Sequence, residues 1–212
     1  MEVRAPEGER KAISVLFADI KGSMNLIEDL DPEEAQHIID PALQLMMDAV
    51  HRYEGFVAQS TGDGIFAFFG APLASEDHPQ RALYAALRMQ DASRRFAEQL
   101  RSVRKDDLHA DYVPVGHSTS LAARMQTLAD PGSIVVSEAT YRLTEGYFEF
   151  KPLGEVRVKG VSEPLNVYEV KGVGPLRTRL QLSARRGLSR FVGRKDELEQ
   201  LRRALEQAKD GR

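Results

Sequence analysis

Two hydrophobic periodicities alternate along the N-terminal half of the chain, one typical of strands and one typical of helices. Residues 12–19 form a mostly apolar, β-rich run that ends on Asp19, which predicts a buried strand with a carboxylate at its end. An amphipathic helix is predicted next, since Asp31 followed by proline is a typical helix start, Pro41 predicts a kink, and Gly55 predicts the end. Its apolar side chains recur at spacings of four and three, at Ile39, Leu43, Met46, Val50 and Tyr53.

A hairpin and a second helix are predicted to follow. The apolar runs 56–58 and 65–69 flank residues 60–64, where the pair Asp63-Gly64 favours a tight turn between two antiparallel strands. Residues 79–100 predict the second helix, since apolar side chains recur near helical spacing at Ala82, Ala86, Met89 and Phe96. The order strand, helix, hairpin, helix predicts an α+β fold, with helices covering one face of a mainly antiparallel sheet.

Shorter elements are predicted beyond residue 100. An extended piece at 112–115 precedes a helix at 119–128, which a turn at 130–132 would end. The remaining predicted elements are a strand at 134–136, a helix at 138–144, and strands at 148–151, 156–159 and 165–170, with turns at 152–154 and 160–164.

The composition changes near Gly174-Pro175, which suggests a domain over residues 1–174 and a separate region over 175–212. Residues 177–190 are basic with little apolar content, so we interpret them as a partly helical linker. A charged helix is predicted at 196–209, with leucines at 198, 201 and 205.

Composition narrows the classes of protein that need to be considered. The chain has 212 residues, of which 42% are hydrophobic and 29% charged, as in a globular protein with its own core. It has no cysteine, which excludes disulfides and thiolate metal sites. A net charge of −3 argues against a nucleic-acid partner, and no apolar run reaches the length of a membrane span. The N-terminus lacks the apolar core of a signal peptide, so we expect a cytoplasmic protein.

Candidate chemistry lies at the two aspartates that end predicted elements. If the hairpin pairs with strand 12–19, Asp19 and Asp63 reach the same edge of the sheet. Two carboxylates together with nucleotide phosphates suit Mg²⁺ or Mn²⁺, and the glycine-containing turn 20–23 offers backbone N–H groups to a phosphate. The alternative is structural: Asp19 caps a turn, and Asp63 only shapes an Asp-Gly hairpin.

Several motifs in one order resemble the class III adenylate/guanylate cyclase family. The resemblance covers residues 10–171. It rests on the motifs Val15 to Ser23, Gly62-Asp63-Gly64, Gly116 to Arg124, Val158-Lys159-Gly160, Glu163-Pro164 and Tyr168-Glu169-Val170. The family fold that this resemblance implies is a ferredoxin-like βαββαβ core with extensions, working as a head-to-tail homodimer with the active site at the interface.

The resemblance also implies roles for individual residues. Asp19 and Asp63 would hold two divalent metal ions, Mg²⁺ or Mn²⁺, with help from the carbonyl of Ile20. The triphosphate would lie in the turn Ile20-Lys21-Gly22-Ser23, next to Gly62. From the partner chain, Arg124 would stabilise charge on the phosphates, as a positioned cation does in phosphoryl chemistry. The implied reaction is attack of the ribose 3′-oxygen of ATP, or of GTP, on the α-phosphate, which gives a cyclic monophosphate and pyrophosphate.

Four positions and one segment depart from the family pattern. The base-reading lysine is Gln59, and the usual polar partner of the base is Val113. The asparagine that assists the transition state is Ser120, and His117 replaces a frequent Asp or Asn. The family's strand-turn-strand after the second helix is missing after Leu100, which predicts either a gap in the sheet or a substitute strand.

Three functions remain open at this point. The first is an adenylate cyclase in intracellular signal transduction, and the second is a catalytically impaired nucleotide-binding or dimerisation module that regulates an attached ATPase. The third is a metal-dependent phosphohydrolase, which would release orthophosphate. Residues 190–194 resemble the segment that leads into P-loop signalling ATPases, although the phosphate loop itself is not in this sequence. We interpret residues 190–212 as the start of such a region, or else as a solvated amphipathic tail.

Overall fold

The computed structural model describes residues 11–21, 23, 31–103, 113–116, 122–123, 125, 128–157, 163–176, 178–187 and 193–209. The chain divides into two compact units, Met1–Leu176 and Arg177–Arg212. The elements of the first unit are β1 (Ser14–Asp19), α1 (Pro32–Arg52), β2 (Phe56–Thr61), β3 (Gly64–Phe69), α2 (His78–Val103), β4 (Val113–Gly116), β5 (Ile134–Ser137), α3 (Glu138–Thr144), β6 (Phe148–Val156) and β7 (Leu165–Val173).

These strands form one sheet in the order β2-β3-β1-β4-β5-β7-β6. The pairs are antiparallel except for β4 with β5, which run parallel. The first four strands and two helices have the succession βαββαβ and the strand order β2-β3-β1-β4. The predicted α+β fold with a ferredoxin-like core and a mainly antiparallel sheet is therefore confirmed.

The helix α1 forms where its sequence predicts it. The carboxylate of Asp31 accepts the backbone N–H of Glu33 at 3.1 Å, and proline occupies the first helical turn, where an N–H is not needed. One face of α1 is buried, which explains its stability. That face carries Ala35, Ile38, Ile39, Ala42, Leu43, Met46, Ala49 and Val50.

The helix α1 ends near the predicted position, but Gly55 does not end it in the predicted way. The helix ends at Arg52, and Glu54 rather than a glycine takes a positive φ, of 58°. Gly55 is required by packing instead, because a Cβ atom there would lie 2.5 Å from the Phe69 ring and 2.7 Å from Val50 Cγ1. This contact also places Phe69 on the side of the sheet that α1 covers.

The sheet continues from β1 to β5 through one short strand. The four-residue strand β4 pairs with β1 on one side, with Gly116 opposite Val15, and with β5 on the other, with Val113 opposite Ile134. The predicted extended piece at 112–115 is therefore confirmed as β4, which pairs with a strand on each side.

The C-terminal strands correct one prediction. The turn predicted at 152–154 is not a turn, because β6 runs from Phe148 to Val156. Its pairing with β7 shifts register between Glu149 and Phe150 and again between Pro152 and Gly154. β6 is an edge strand, so a proline without an N–H is tolerated there. The strand at 165–170 and the helix at 138–144 are confirmed. The predicted helix at 119–128 is described only at 122, 123, 125 and 128, and the first three are helical.

The second unit contains α4 (Arg179–Arg186) and α5 (Lys195–Lys209). Thr178 and Gln181 form a reciprocal capping box at the start of α4. Leu201 and Leu205 of α5 are 70% and 57% exposed. Across the described residues, no helix combines the length and apolar character needed to cross a bilayer.

Candidate active site

The two predicted metal ligands meet where β1 ends and the β2–β3 hairpin turns. Asp19 is the last residue of β1 and lies opposite Gly64, the first residue of β3. Asp63 belongs to the two-residue turn Gly62-Asp63, in which Gly62 has a φ of +46°. The Ile20 N–H donates to the Asp63 carbonyl oxygen at 2.9 Å, which extends the β1–β3 pairing into the turn. The tight turn is therefore Gly62-Asp63 rather than Asp63-Gly64.

The two carboxylates are close enough to change each other's chemistry. Burial and the neighbouring charge of Asp63 raise the pKa of Asp19 to about 6, while a hydrogen bond from the Ile20 backbone opposes this shift. Two half-buried carboxylates that repel each other form a site of negative potential. A divalent cation relieves that repulsion, so the arrangement favours a hard metal ion.

Ser23 connects this pair with the turn after β1. Its hydroxyl donates to Oδ2 of Asp63, and its backbone N–H donates to the Ile20 carbonyl at 3.3 Å. Ser23 is 3% exposed, whereas Lys21 in the same turn is exposed. The described part of the turn therefore presents the Lys21 cation to solvent and holds the Ser23 hydroxyl inside.

The donors in this corner fit a divalent metal of the Mg²⁺ or Mn²⁺ type. Carboxylate oxygens from Asp19 and Asp63 and the carbonyl of Ile20 are hard ligands, and such ions use few protein carboxylates when a nucleotide supplies the rest. The described residues contain no group of three or more acidic or histidine side chains arranged to hold a metal by themselves. The site therefore suits a metal whose remaining ligands are water or phosphate oxygens.

Gly64 lets β3 approach the end of β1. A Cβ atom at this position would lie 2.7 Å from the Ala18 carbonyl oxygen and 3.3 Å from Oδ1 of Asp19. The sequence predicts a turn role for this glycine. The geometry instead assigns it a packing role against the metal-ligand candidate.

We expect Gly64→Ala to lower the free energy of unfolding by about 1–3 kcal/mol, as overpacking of a close contact does, and to displace the Asp19 carboxylate. Gly172→Ala is the matched control, because Gly172 also lies in a strand and its Cβ would meet nothing within 4 Å. Urea unfolding of both variants measures the difference. Equal stability of the two variants would contradict the packing role.

The sheet face that carries Asp19 also carries a row of phenylalanines. Phe17 lies opposite Phe66, two residues before the Asp19–Gly64 pair, and their rings stack at 4.7 Å. Phe68 and Phe56 continue the row with ring centroids 5.0 Å apart, and Phe56 is 50% exposed. Side chains alternate along a strand, so this row faces away from the side where Phe69 meets α1. Sequence analysis did not identify this aromatic face, since it appears only once the β1–β3 register is known.

The structure describes some of the other candidate residues and not all of them. Gln59 is exposed on β2 and lies opposite Phe66, next to a register shift. Val113 begins β4, which is antiparallel to β1, so this end of β4 lies toward the Asp19 end of β1. The structure therefore brings the backbone of Val113 and the strand of Gln59 toward the same end of the sheet. Gly22, His117, Ser120 and Arg124 lie outside the described residues.

The comparison with protein families identifies this arrangement. The model of the adenylate and guanylate cyclase catalytic domain matches residues 6–172. The chain belongs to this cyclase family. Adenylate cyclase 1 of Rhizobium meliloti (strain 1021) is 25% identical over 186 residues, which are 77% of this chain and 28% of that protein. This chain spans between 18% and 38% of the length of the first four curated relatives that it matches.

Solved cyclase structures share the fold. The adenylyl cyclase CyaB of P. aeruginosa has a TM-score of 0.73 and 23% identity, covering 82% of this chain and 97% of that chain. The guanylyl cyclase Cya2 has a TM-score of 0.72 and 25% identity, covering 79% of this chain and 95% of that chain. Cyclases described for adenine and for guanine nucleotides are both similar to this chain, so the cyclase family alone does not choose the base. The predicted lead-in to an ATPase at 190–194 has no counterpart in this match and stays a prediction.

Proposed function

We propose that this chain is a nucleotide cyclase catalytic domain that converts ATP to cyclic AMP and pyrophosphate. The observation that carries the proposal is the placement of Asp19 against Asp63, at the end of β1 and in the β2–β3 turn. Burial beside a second carboxylate raises the pKa of Asp19, and such an arrangement is costly to keep unless it serves a cation or a proton. In a member of this family, a cation bound together with the substrate triphosphate accounts for that cost.

The residues of this site have separate tasks in the proposed reaction. When bound, two divalent ions would supply Lewis acidity and neutralise charge on the phosphates. Asp19, Asp63 and the Ile20 carbonyl would hold them, while the turn Ile20-Lys21-Gly22-Ser23 and Gly62 receive the triphosphate. The ribose 3′-hydroxyl loses its proton to water, its oxygen forms a bond to the α-phosphorus, and the bond to the pyrophosphate oxygen breaks, so one cyclic nucleotide, one pyrophosphate and one proton result.

The aromatic face supports a dimer in which the partner chain completes the site. An apolar strip of Phe17, Phe56, Phe66 and Phe68 adjoining a polar corner is the composition that protein interfaces use. In the proposed homodimer this face meets a second copy, which brings its Arg124 to the phosphates and its Ser120 to the transition state. Serine is shorter than the usual asparagine, so Ser120 acts at a longer distance or through a water.

Gln59 and Val113 set the proposed base preference. A glutamine amide offers both a donor and an acceptor, which matches the N6 donor and N7 acceptor of adenine, whereas guanine presents two acceptors, O6 and N7, on that edge. Valine offers the base an apolar contact only. ATP is therefore the proposed substrate, and GTP is the competing one.

The test of this function is product formation from ATP or GTP with Mn²⁺ or Mg²⁺. We expect cyclic AMP and pyrophosphate in equal amounts, with a higher kcat/KM for ATP than for GTP. Chromatography of the nucleotide products and a pyrophosphate assay measure both. Orthophosphate as the main product would instead favour a phosphohydrolase. ATP binding without any product would favour the regulatory nucleotide-binding or dimerisation module.

A further inference from the structure

Ser23 links the turn after β1 to the hairpin turn through a closed set of hydrogen bonds. The Ile20 N–H donates to the Asp63 carbonyl, the Ser23 N–H donates to the Ile20 carbonyl, and the Ser23 hydroxyl donates to Oδ2 of Asp63. Asp63 is therefore held by its main chain and by its side chain from the same turn. Because Ser23 is 3% exposed, water does not readily replace its hydroxyl as a donor.

We propose that Ser23 is a positioning residue, which fixes the orientation of the Asp63 carboxylate for metal binding. This inference rests on the proposed function, since it takes Asp63 as a metal ligand. The cyclase resemblance implies for Ser23 only a place in the phosphate turn. The hydrogen bond to Oδ2 adds a task that acts through Asp63 and precedes nucleotide binding.

The physical reason is the repulsion between the two carboxylates. Without a partner, Asp63 lowers its energy by rotating away from Asp19, and a cation must then reverse that rotation. A buried hydroxyl on Oδ2 opposes the rotation and keeps the Asp63 carboxylate beside Asp19, where one metal ion would meet both carboxylates. Loss of a hydrogen-bond partner that orients a metal ligand typically weakens metal binding about 10–100-fold.

The same set of bonds couples the metal corner to the phosphate turn. The backbone of Ser23 closes the phosphate turn, and its side chain holds Asp63. A change that orders Asp63 therefore also orders the phosphate turn. By thermodynamic linkage, a metal that orders Asp63 then favours the turn conformation that receives phosphate, and the nucleotide favours metal binding to the same degree.

The test is a titration of the protein with Mn²⁺ in the absence of nucleotide. Binding is measured as the loss of the electron paramagnetic resonance signal of free Mn²⁺. We expect Ser23→Ala to weaken Mn²⁺ binding about 10–100-fold, and Ser23→Thr, which keeps the hydroxyl, to bind like the parent chain. Ser133→Ala is the matched control, because Ser133 is 7% exposed and its hydroxyl donates to the Asp130 carbonyl at 2.7 Å, outside this corner.

Two results would overturn the proposal. Unchanged Mn²⁺ binding in Ser23→Ala, together with a raised KM for ATP, would leave Ser23 as a phosphate contact only. Equal losses in Ser23→Ala and Ser23→Thr would assign the effect to packing at a buried position.

A double-mutant cycle separates this proposal from the proposed function. Thermal unfolding of the metal-free parent, Ser23→Ala, Asp63→Ala and double-variant chains requires neither metal nor turnover. We expect Ser23→Ala to lower Tm less in the Asp63→Ala background than in the parent chain, because the hydrogen bond that it removes is already absent there. An equal effect of Ser23→Ala in both backgrounds would overturn the positioning role even in an active cyclase. A parent chain that binds no Mn²⁺ would overturn the metal site, and the cycle alone would then decide whether Ser23 holds Asp63.

Discussion

Asp19→Asn is expected to abolish cyclic nucleotide formation and, at the same time, to stabilise the metal-free protein. Activity should fall about a thousandfold or more, because metal-ion catalysis is worth several kcal/mol and a tenfold change in rate corresponds to about 1.4 kcal/mol. Stability should rise at neutral pH, because asparagine removes a charge that burial and Asp63 disfavour. A substitution that only damaged the fold would lower both quantities.

The pH dependence of this stability effect has a definite sign. The folded pKa of Asp19 is raised from 3.8 to about 6, so between these values the folded chain binds a proton that the unfolded chain lacks. The stability of the parent chain therefore falls as pH rises from about 4 to about 6. Above about pH 6 this group causes no further decrease in stability. The advantage of Asp19→Asn in Tm should be absent near pH 4 and complete by pH 7.5.

Differential scanning fluorimetry measures this effect, in EDTA for the metal-free protein and in EDTA-free buffer for the protein with added Mn²⁺. Mn²⁺ should raise the Tm of the parent chain and leave that of Asp19→Asn unchanged, since a ligand that binds only the folded state stabilises it. Asp40→Asn, an exposed change on α1, is the control for loss of a carboxylate. A variant that is less stable than the parent at pH 7.5 would show that Asp19 is held by favourable contacts, which contradicts the metal-site interpretation of its burial.

The sequence predicts the parts of this fold that depend on local periodicity. α1 and α2 follow from the spacing of their apolar side chains, and the meeting of Asp19 with Asp63 follows once the hairpin pairs with β1. β6 was predicted wrongly because Pro152 and Gly154 are typical turn residues. An edge strand accommodates them as a register shift, and the sequence does not show which strand lies at the edge.

The finer features of the site depend on contacts that local patterns do not contain. The hydrogen bond from Ser23 to Asp63 joins residues 40 positions apart, and the stacking of Phe17 on Phe66 requires the β1–β3 register. The close approach of Gly64 to Asp19 was hidden for another reason, since a glycine after an aspartate is sufficiently explained by a turn. Each of these features became visible only when two chain segments were placed side by side.

Mixing two inactive variants is expected to restore activity if the site is shared between two chains. Arg124→Ala should lower kcat about a thousandfold or more, as loss of a cation that stabilises transferring phosphoryl groups does. Asp19→Asn is inactive for a different reason, because it removes the metal corner and keeps the arginine. In a mixed dimer, one of the two sites combines an intact Asp19 with an intact Arg124 from the partner.

The expected recovery follows from the symmetry of a two-chain assembly. Equal amounts that exchange at random give half mixed dimers, each with one complete site of two, so activity should reach about a quarter of the parent value. The control is a chain that carries both substitutions, mixed with Asp19→Asn. No dimer in that mixture contains a complete site, so no activity should return. If neither mixture recovers activity although the subunits are shown to exchange, Asp19 and Arg124 do not act in one shared site. The aromatic strip that contains Phe17 and Phe66 would then need an explanation other than the proposed dimer contact.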